Sequence, residues 1–137
     1  MRRVLLVEDD AADAELVAEA MTRHARTLQL EHVPSGQAAW SLLRQRSLQG
    51  REKLPACILL DMVLGEHDGV WFLSRMQRLA SVRDLPVLVL SQRADAVVRA
   101  REFPNVVGAV EKPAMDHERR QLVEAVLRLA GGMGVSA

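Results

Sequence analysis

The chain has 137 residues, 18 basic and 18 acidic side chains balancing to zero formal charge, and 49% hydrophobic residues. That length and apolar share suit one domain, 1–137, with a full core; the balanced charge gives no argument for nucleic acid as the main partner, and no linker leads to a second, DNA-binding domain. No apolar run approaches the roughly 20 residues that cross a bilayer, and no secretory leader is visible. The single cysteine, Cys57, has no Cys/His ligand cluster around it, so a reducing cytoplasm is the expected location. In chain order, Arg3–Val7 is a short apolar strand. Asp10 reads as the N-cap of a helix, with Asp13 in the first turn where the helix dipole favours an acid. Leu16, Val17, Ala20, Met21 and His24 lie on one face of that helix. Leu28–Val33 is a second strand, broken by Pro34-Ser35-Gly36, where Ser35 caps a helix carrying Ala39, Leu42 and Leu43. Gln49–Pro55 is a polar loop, Ala56–Leu60 a third strand and Met62–Asp68 a loop. Asp68-Gly69 marks a turn and helix start. Gly69–Leu79 is helical, with Phe72, Leu73, Met76 and Leu79 facing the core. Pro86–Leu90 is a fourth strand, Ala94–Glu102 a weaker helix ended by Pro104, and Val106–Val110 a fifth strand. Glu118–Ala130 is an amphipathic helix with Leu122, Val126 and Leu129 on one stripe, ended by Gly131-Gly132 and followed by a short tail expected to be flexible.

Five strands alternating with five helices imply an α/β fold: a parallel sheet with helices on both faces, in the flavodoxin-like doubly wound order 2-1-3-4-5. In such sheets the carboxyl ends of the strands form the ligand crevice. The first strand ends in Glu8 and Asp9, the third in Asp61, the fourth in Ser91, and the fifth is followed by Lys112-Pro113. Carboxylates gathered at one crevice repel one another and resist burial unless something positive lies between them. Two or three carboxylate oxygens suit Mg²⁺, which prefers oxygen ligands. Asp61 beside such a metal could act as a nucleophile toward a phosphoryl group. Lys112 would offer a point charge to a phosphoryl oxygen and Ser91 a hydroxyl.

The ordered set Leu5-Leu6-Val7-Glu8-Asp9-Asp10, Leu59-Leu60-Asp61, Asp68-Gly69, Ser91 and Lys112-Pro113 resembles the response-regulator receiver domain of two-component signalling. The resemblance covers residues 2 to about 130, and the set is far more specific than any one motif. It implies that Glu8 and Asp9 organise Mg²⁺, with Asp9 the closer ligand, and that Asp61 is the phosphoacceptor. It also implies that the backbone carbonyl of Val63 joins the metal, that Ser91 is the switch hydroxyl, and that Lys112 pairs with the phosphoryl group across a cis Lys112-Pro113 bond. Such a protein takes phosphate from a sensor histidine kinase and serves as a phosphorelay intermediate or protein-binding switch. It is no enzyme beyond its own phosphorylation and slow autodephosphorylation. A homodimer through the fourth helix, fifth strand and fifth helix follows from the same resemblance. The run Glu8 to Leu16, the Gln49–Pro55 loop and Arg83-Asp84-Leu85-Pro86 look like stand-alone receivers of the phytochrome-associated type, whose kinase is sometimes a bacterial phytochrome.

The chain departs from that pattern at several positions. Gly65 replaces a usual proline, Gln92 follows Ser91 where a small residue is usual, and Ala109 occupies the place of an aromatic switch. Asn105-Val106 replaces a Gly-Ala turn. Gln92 and Ala109 keep alive a degenerate receiver that binds partners without phosphorylation, against which the intact Glu8, Asp9, Asp61 and Lys112 argue. A metal-dependent aspartyl phosphatase is disfavoured by Val63, where such enzymes need an acid. A flavin site is disfavoured by the acids after the first strand. Cys57 reads as a buried small hydrophobe. Trp40 and Trp71 read as packing or partner surface, and the scattered His24, His32, His67 and His117 give no metal site.

Overall fold

The structure is a computed structural model that describes residues 2–64, 68–91, 93–112 and 116–130, the side chain of Asp116 excepted. Its elements are β1 (Arg2–Val7), α1 (Ala11–His24), β2 (Leu28–Val33), α2 (Gly36–Ser47), β3 (Cys57–Asp61), α3 (Gly69–Met76), β4 (Val87–Leu90), α4 (Ala94–Ala100), β5 (Val106–Val110) and α5 (Asp116–Ala130). The strands form one sheet in the order β2-β1-β3-β4-β5, every neighbouring pair parallel. This is the flavodoxin-like doubly wound arrangement.

Strand alternation sorts the apolar side chains to two faces. Val4, Leu6, Cys57, Leu59, Leu88 and Leu90 pack with α1 and α5, whereas Leu5, Val7, Ile58, Leu60, Val87 and Val89 pack with α2, α3 and α4. Because β1, β3 and β4 are covered on both sides, they read as unbroken apolar runs rather than alternating ones. Each large side chain so buried contributes about 2 kcal/mol. The β4–β5 register slips between Val87 and Leu88, which pair with Val106 and Gly108. The skipped residue, Val107, stands half exposed.

Side chains start three of the helices. Asp10, Ser35 and Asp68 accept from the backbone N–H groups of Asp13, Ala38 and Trp71, each at 3.0 Å, filling donors that a helix start leaves open. α4 begins at Arg93 without a side-chain cap. α1 buries Ala14, Val17, Ala20 and Met21, while Leu16 is only partly covered and His24 is exposed. The expected inner face is therefore rotated toward Ala14, and His24 belongs to the solvent-facing last turn. α3 ends at Met76, earlier than Leu79. Turns continue the chain from there, with Leu79 N–H on the Met76 carbonyl, so Leu79 still packs on the core. The 49–55 loop contains a single 3-10 turn, Arg51–Lys53. Asn105 is buried and ties the start of β5 inward. Its Nδ2 donates to the Leu85 carbonyl and its Oδ1 accepts from Gln77 Nε2, both at 3.0 Å. At the amino end of the sheet, Arg2 Nη1 donates to the carbonyl of Ala130 at 3.2 Å. Among the described residues no helix is long and apolar enough to cross a membrane.

Candidate functional site

The parallel register brings Glu8, Asp61, Ser91 and Lys112 to one end of the sheet. Val7 pairs with Leu60, and Asp61 pairs with Leu90. Ser91, one residue beyond β4, donates its N–H to the carbonyl of Val110, the last residue of β5. Lys112 follows two residues later. Glu8 is fully buried, its N–H on the Val33 carbonyl at 3.1 Å and its own carbonyl accepting from His32 Nε2 at 2.7 Å. Asp61 is also buried, whereas Asp9 is exposed.

Glu8, Asp9 and Asp61 each offer a carboxylate oxygen, and these oxygens lie within 4.8 Å of one another. Lys112 Nζ sits among the acids. It donates to Asp61 Oδ2 at 3.1 Å and to Asp13 Oδ2 at 2.8 Å, and lies 3.2 Å from Glu8 Oε1. The Glu8 contact is an ion pair without hydrogen-bond alignment, which leaves Oε1 a buried carboxylate oxygen with no hydrogen bond. The other oxygen of Glu8 accepts from Asp10 N–H at 3.2 Å, and Asp61 Oδ1 accepts from Val63 N–H at 3.1 Å.

The electrostatics follow from this crowding. Burial, and then the neighbouring carboxylate of Asp61, push the Glu8 carboxyl up to about 7. Burial pulls Lys112 down. The hydrogen bonds to Asp13 and Asp61 and the charges of Asp61 and Glu8 more than offset it and hold the ammonium above its ordinary range. Three carboxylates thus crowd one crevice, with Lys112 as the cation among them. The all-oxygen donor set and the unbonded Glu8 Oε1 suit a hard divalent ion.

Ser91 is buried, and its Oγ accepts from Arg93 N–H at 3.1 Å; among the described residues its hydroxyl proton has no acceptor. Ala109 is half-buried against the α3–α4 side of the core and carries no ring. Gly65, Gln92 and the Lys112–Pro113 bond lie outside the described residues. Cys57 is buried, and that burial raises its thiol to about 12, in keeping with a plain core residue. Trp40 and Trp71 are half-buried helix residues with the guanidinium groups of Arg44 and Arg75 over their rings. The sequence reading missed Asp13, which it took for a dipole acid of α1; the separation of 99 residues from Lys112 carries no local signal.

A doubly wound sheet with acids at the ends of β1 and β3 and a lysine beyond β5 defines a receiver-type α/β domain. The chain belongs to the response regulator receiver domain family, whose sequence model matches residues 4–126. That family consists of phosphoacceptor signalling proteins of two-component systems. The chain is 34% identical over 124 residues to the probable methanogenesis regulatory protein FilR2 of Methanothrix harundinacea, covering 90% of this chain and 79% of that one. It is 33% identical over 102 residues to the response regulator Rcp1 of Synechocystis, covering 73% and 69%. The Mn²⁺-bound structure of Rcp1 superposes with a TM-score of 0.73 at 29% identity, over 93% of this chain and 92% of that one. The phosphorylated cyanobacterial phytochrome response regulator RcpA gives 0.76 at 26% identity, over 93% and 91%.

Proposed function

We propose that this chain is a single-domain response regulator, 1–137, which accepts a phosphoryl group on Asp61 from a sensor histidine kinase in a Mg²⁺-dependent reaction. The observation that carries this reading is the buried Glu8–Asp61 pair with Lys112 Nζ between them and Asp9 at their side. An Asp61 oxygen attacks the phosphorus of a phosphohistidine; the O–P bond forms as the P–N bond breaks, and the departing imidazole takes up a proton. Mg²⁺, held by Glu8, Asp9, Asp61 and the backbone carbonyl of Val63, supplies charge neutralisation when bound. Lys112, already on Asp61 Oδ2, donates to a phosphoryl oxygen. The Ser91 hydroxyl donates to another. Loss of the phosphoryl group by autodephosphorylation is slow, and no other turnover is expected of the protein.

The similarity to the cyanobacterial phytochrome response regulator RcpA supports a bacterial phytochrome as the class of kinase, and the single unpaired Cys57 fits a cytoplasmic location. The protein then serves as a phosphorelay intermediate or protein-binding switch. Val98 on α4 and Val107 on β5, 65% and 51% exposed, support a homodimer through the α4–β5–α5 face; light scattering with and without a phosphoryl mimic tests it.

Intact-mass spectrometry after incubation with acetyl phosphate and Mg²⁺ tests the central reading. A single phosphoryl adduct that requires Mg²⁺ and is absent from Asp61→Asn is the expected result. A folded, metal-binding protein that takes no adduct would instead make the chain a phosphorylation-independent binding module.

A further inference from the structure

Asp13 makes the shortest of the three contacts to Lys112 Nζ, although it lies on α1 and not at a strand end. Its place follows from how α1 begins. Asp10 is the N-cap, so Asp13 is the third helical residue. An acid there ordinarily reaches back to the N–H of the capping residue. Here that N–H is already taken: Asp10 N–H donates to Glu8 Oε2 at 3.2 Å, and the Asp10 side chain in turn holds Asp13 N–H. With both capping bonds made by others, the Asp13 carboxylate is left over. It turns to the lysine, 99 residues further along the chain.

We propose that Asp13 is a positioning residue for Lys112, drawing the ammonium toward the α1 side of the crevice while it still reaches Asp61 Oδ2 and Glu8 Oε1. The proposal rests on the function given above. An ammonium on a four-carbon stem has three donors and many rotamers. Among the described residues its acceptors are Asp13, Asp61 and the ion-paired Glu8. With Asp13 absent, Glu8 and Asp61 are the ammonium's remaining acceptors among the described residues, and it competes more fully with the incoming metal. With Asp13 present, one N–H is fixed outside the metal group and the rest of the ammonium faces whatever Asp61 carries. Asp13 is half-buried and α1 is capped without its side chain, so its carboxylate is not required to start the helix.

A double-mutant cycle tests this, with beryllofluoride and Mg²⁺ as the probe and calorimetry as the readout. Asp13→Ala is expected to weaken beryllofluoride binding about fivefold in the natural background and not at all in Lys112→Ala, the signature of one residue acting through another. Asp13→Glu restores most of the affinity. An equal loss in both backgrounds, or no loss in either, overturns the proposal. A second cycle by urea unfolding, without metal, measures the resting contact itself: the midpoint loss from Asp13→Ala disappears in Lys112→Ala, while any helix-dipole effect is common to both backgrounds and cancels. If the natural protein bound no beryllofluoride, the proposed function would fall. The Asp13–Lys112 pairing would then be decided by the unfolding cycle alone, coupling supporting it and additivity overturning it.

Discussion

Glu8→Gln is expected to abolish a fall in stability that the metal-free protein undergoes as pH rises. Glu8 has no solvent exposure, and its carboxyl titrates at about 7 in the fold against an ordinary 4.5. Between those values the unfolded chain gives up this proton while the folded chain keeps it. The folded state then binds more protons, and stability must decrease as pH increases. Below 4.5 both states are protonated and the penalty is absent; above about 7 both are ionised and it is complete. At about 1.4 kcal/mol for each tenfold difference in proton affinity, the full penalty is about 3 kcal/mol. Glutamine has nearly the same shape and no charge, so the variant escapes the penalty. Urea unfolding in EDTA at steps from pH 4 to 8 measures it: the variant gains about 3 kcal/mol on the natural protein across that range. Parallel stability curves for the two proteins would refute the reasoning. Addition of Mg²⁺ at pH 8 then stabilises the natural protein more than the variant, since the metal takes the place of the lost proton.

Three further perturbations probe how the site is held. At Gly69, an added Cβ would lie 2.6 Å from Met62 Sδ and 2.8 Å from Met62 Cα; Gly69→Ala should cost about 1–3 kcal/mol and move the amide resonances of Asp61 to Val63, and unchanged spectra would contradict the close approach of Gly69 to Met62. Asp10→Ala removes the α1 cap and should lower stability by about 1 kcal/mol, read as a shift in denaturation midpoint that Asp10→Asn largely spares. Asn105→Ala leaves the Leu85 carbonyl and Gln77 Nε2 without their partner. A loss of about 1–3 kcal/mol is expected, and a loss below a few tenths would show that water replaces the amide.

The sheet was legible because its strands are apolar runs with clear punctuation. Leu28–Val33 is stopped by Pro34-Ser35-Gly36, and Val106–Val110 lies between Pro104 and Lys112; both strands have the expected bounds. Glu8, Asp61, Ser91 and Lys112 could be placed together once the strand order was known, since each closely follows a strand. Helix ends without a breaker were less legible. Nothing in Met76–Leu79 stops a helix, yet the chain turns there and Leu79 still packs on the core. α5 starts at Asp116, two residues before the expected Glu118 and six before Leu122, where its apolar stripe begins. The pairing of Asp13 with Lys112, and that of Glu31 with Arg46 between β2 and α2, arise only when the chain folds back on itself. No local periodicity encodes them.

The hydrogen bond from Arg2 to Ala130 places both ends of the described chain at the amino edge of the sheet. β1 separates them from Glu8 by six residues, about 20 Å of extended strand. A tag, a fluorescent protein or a surface tether joined directly to Arg2 or Ala130 therefore starts from the pole opposite the acids. A circular permutant that links 130 to 2 and reopens at the exposed Gln49 would keep every strand neighbour and test that separation of poles directly.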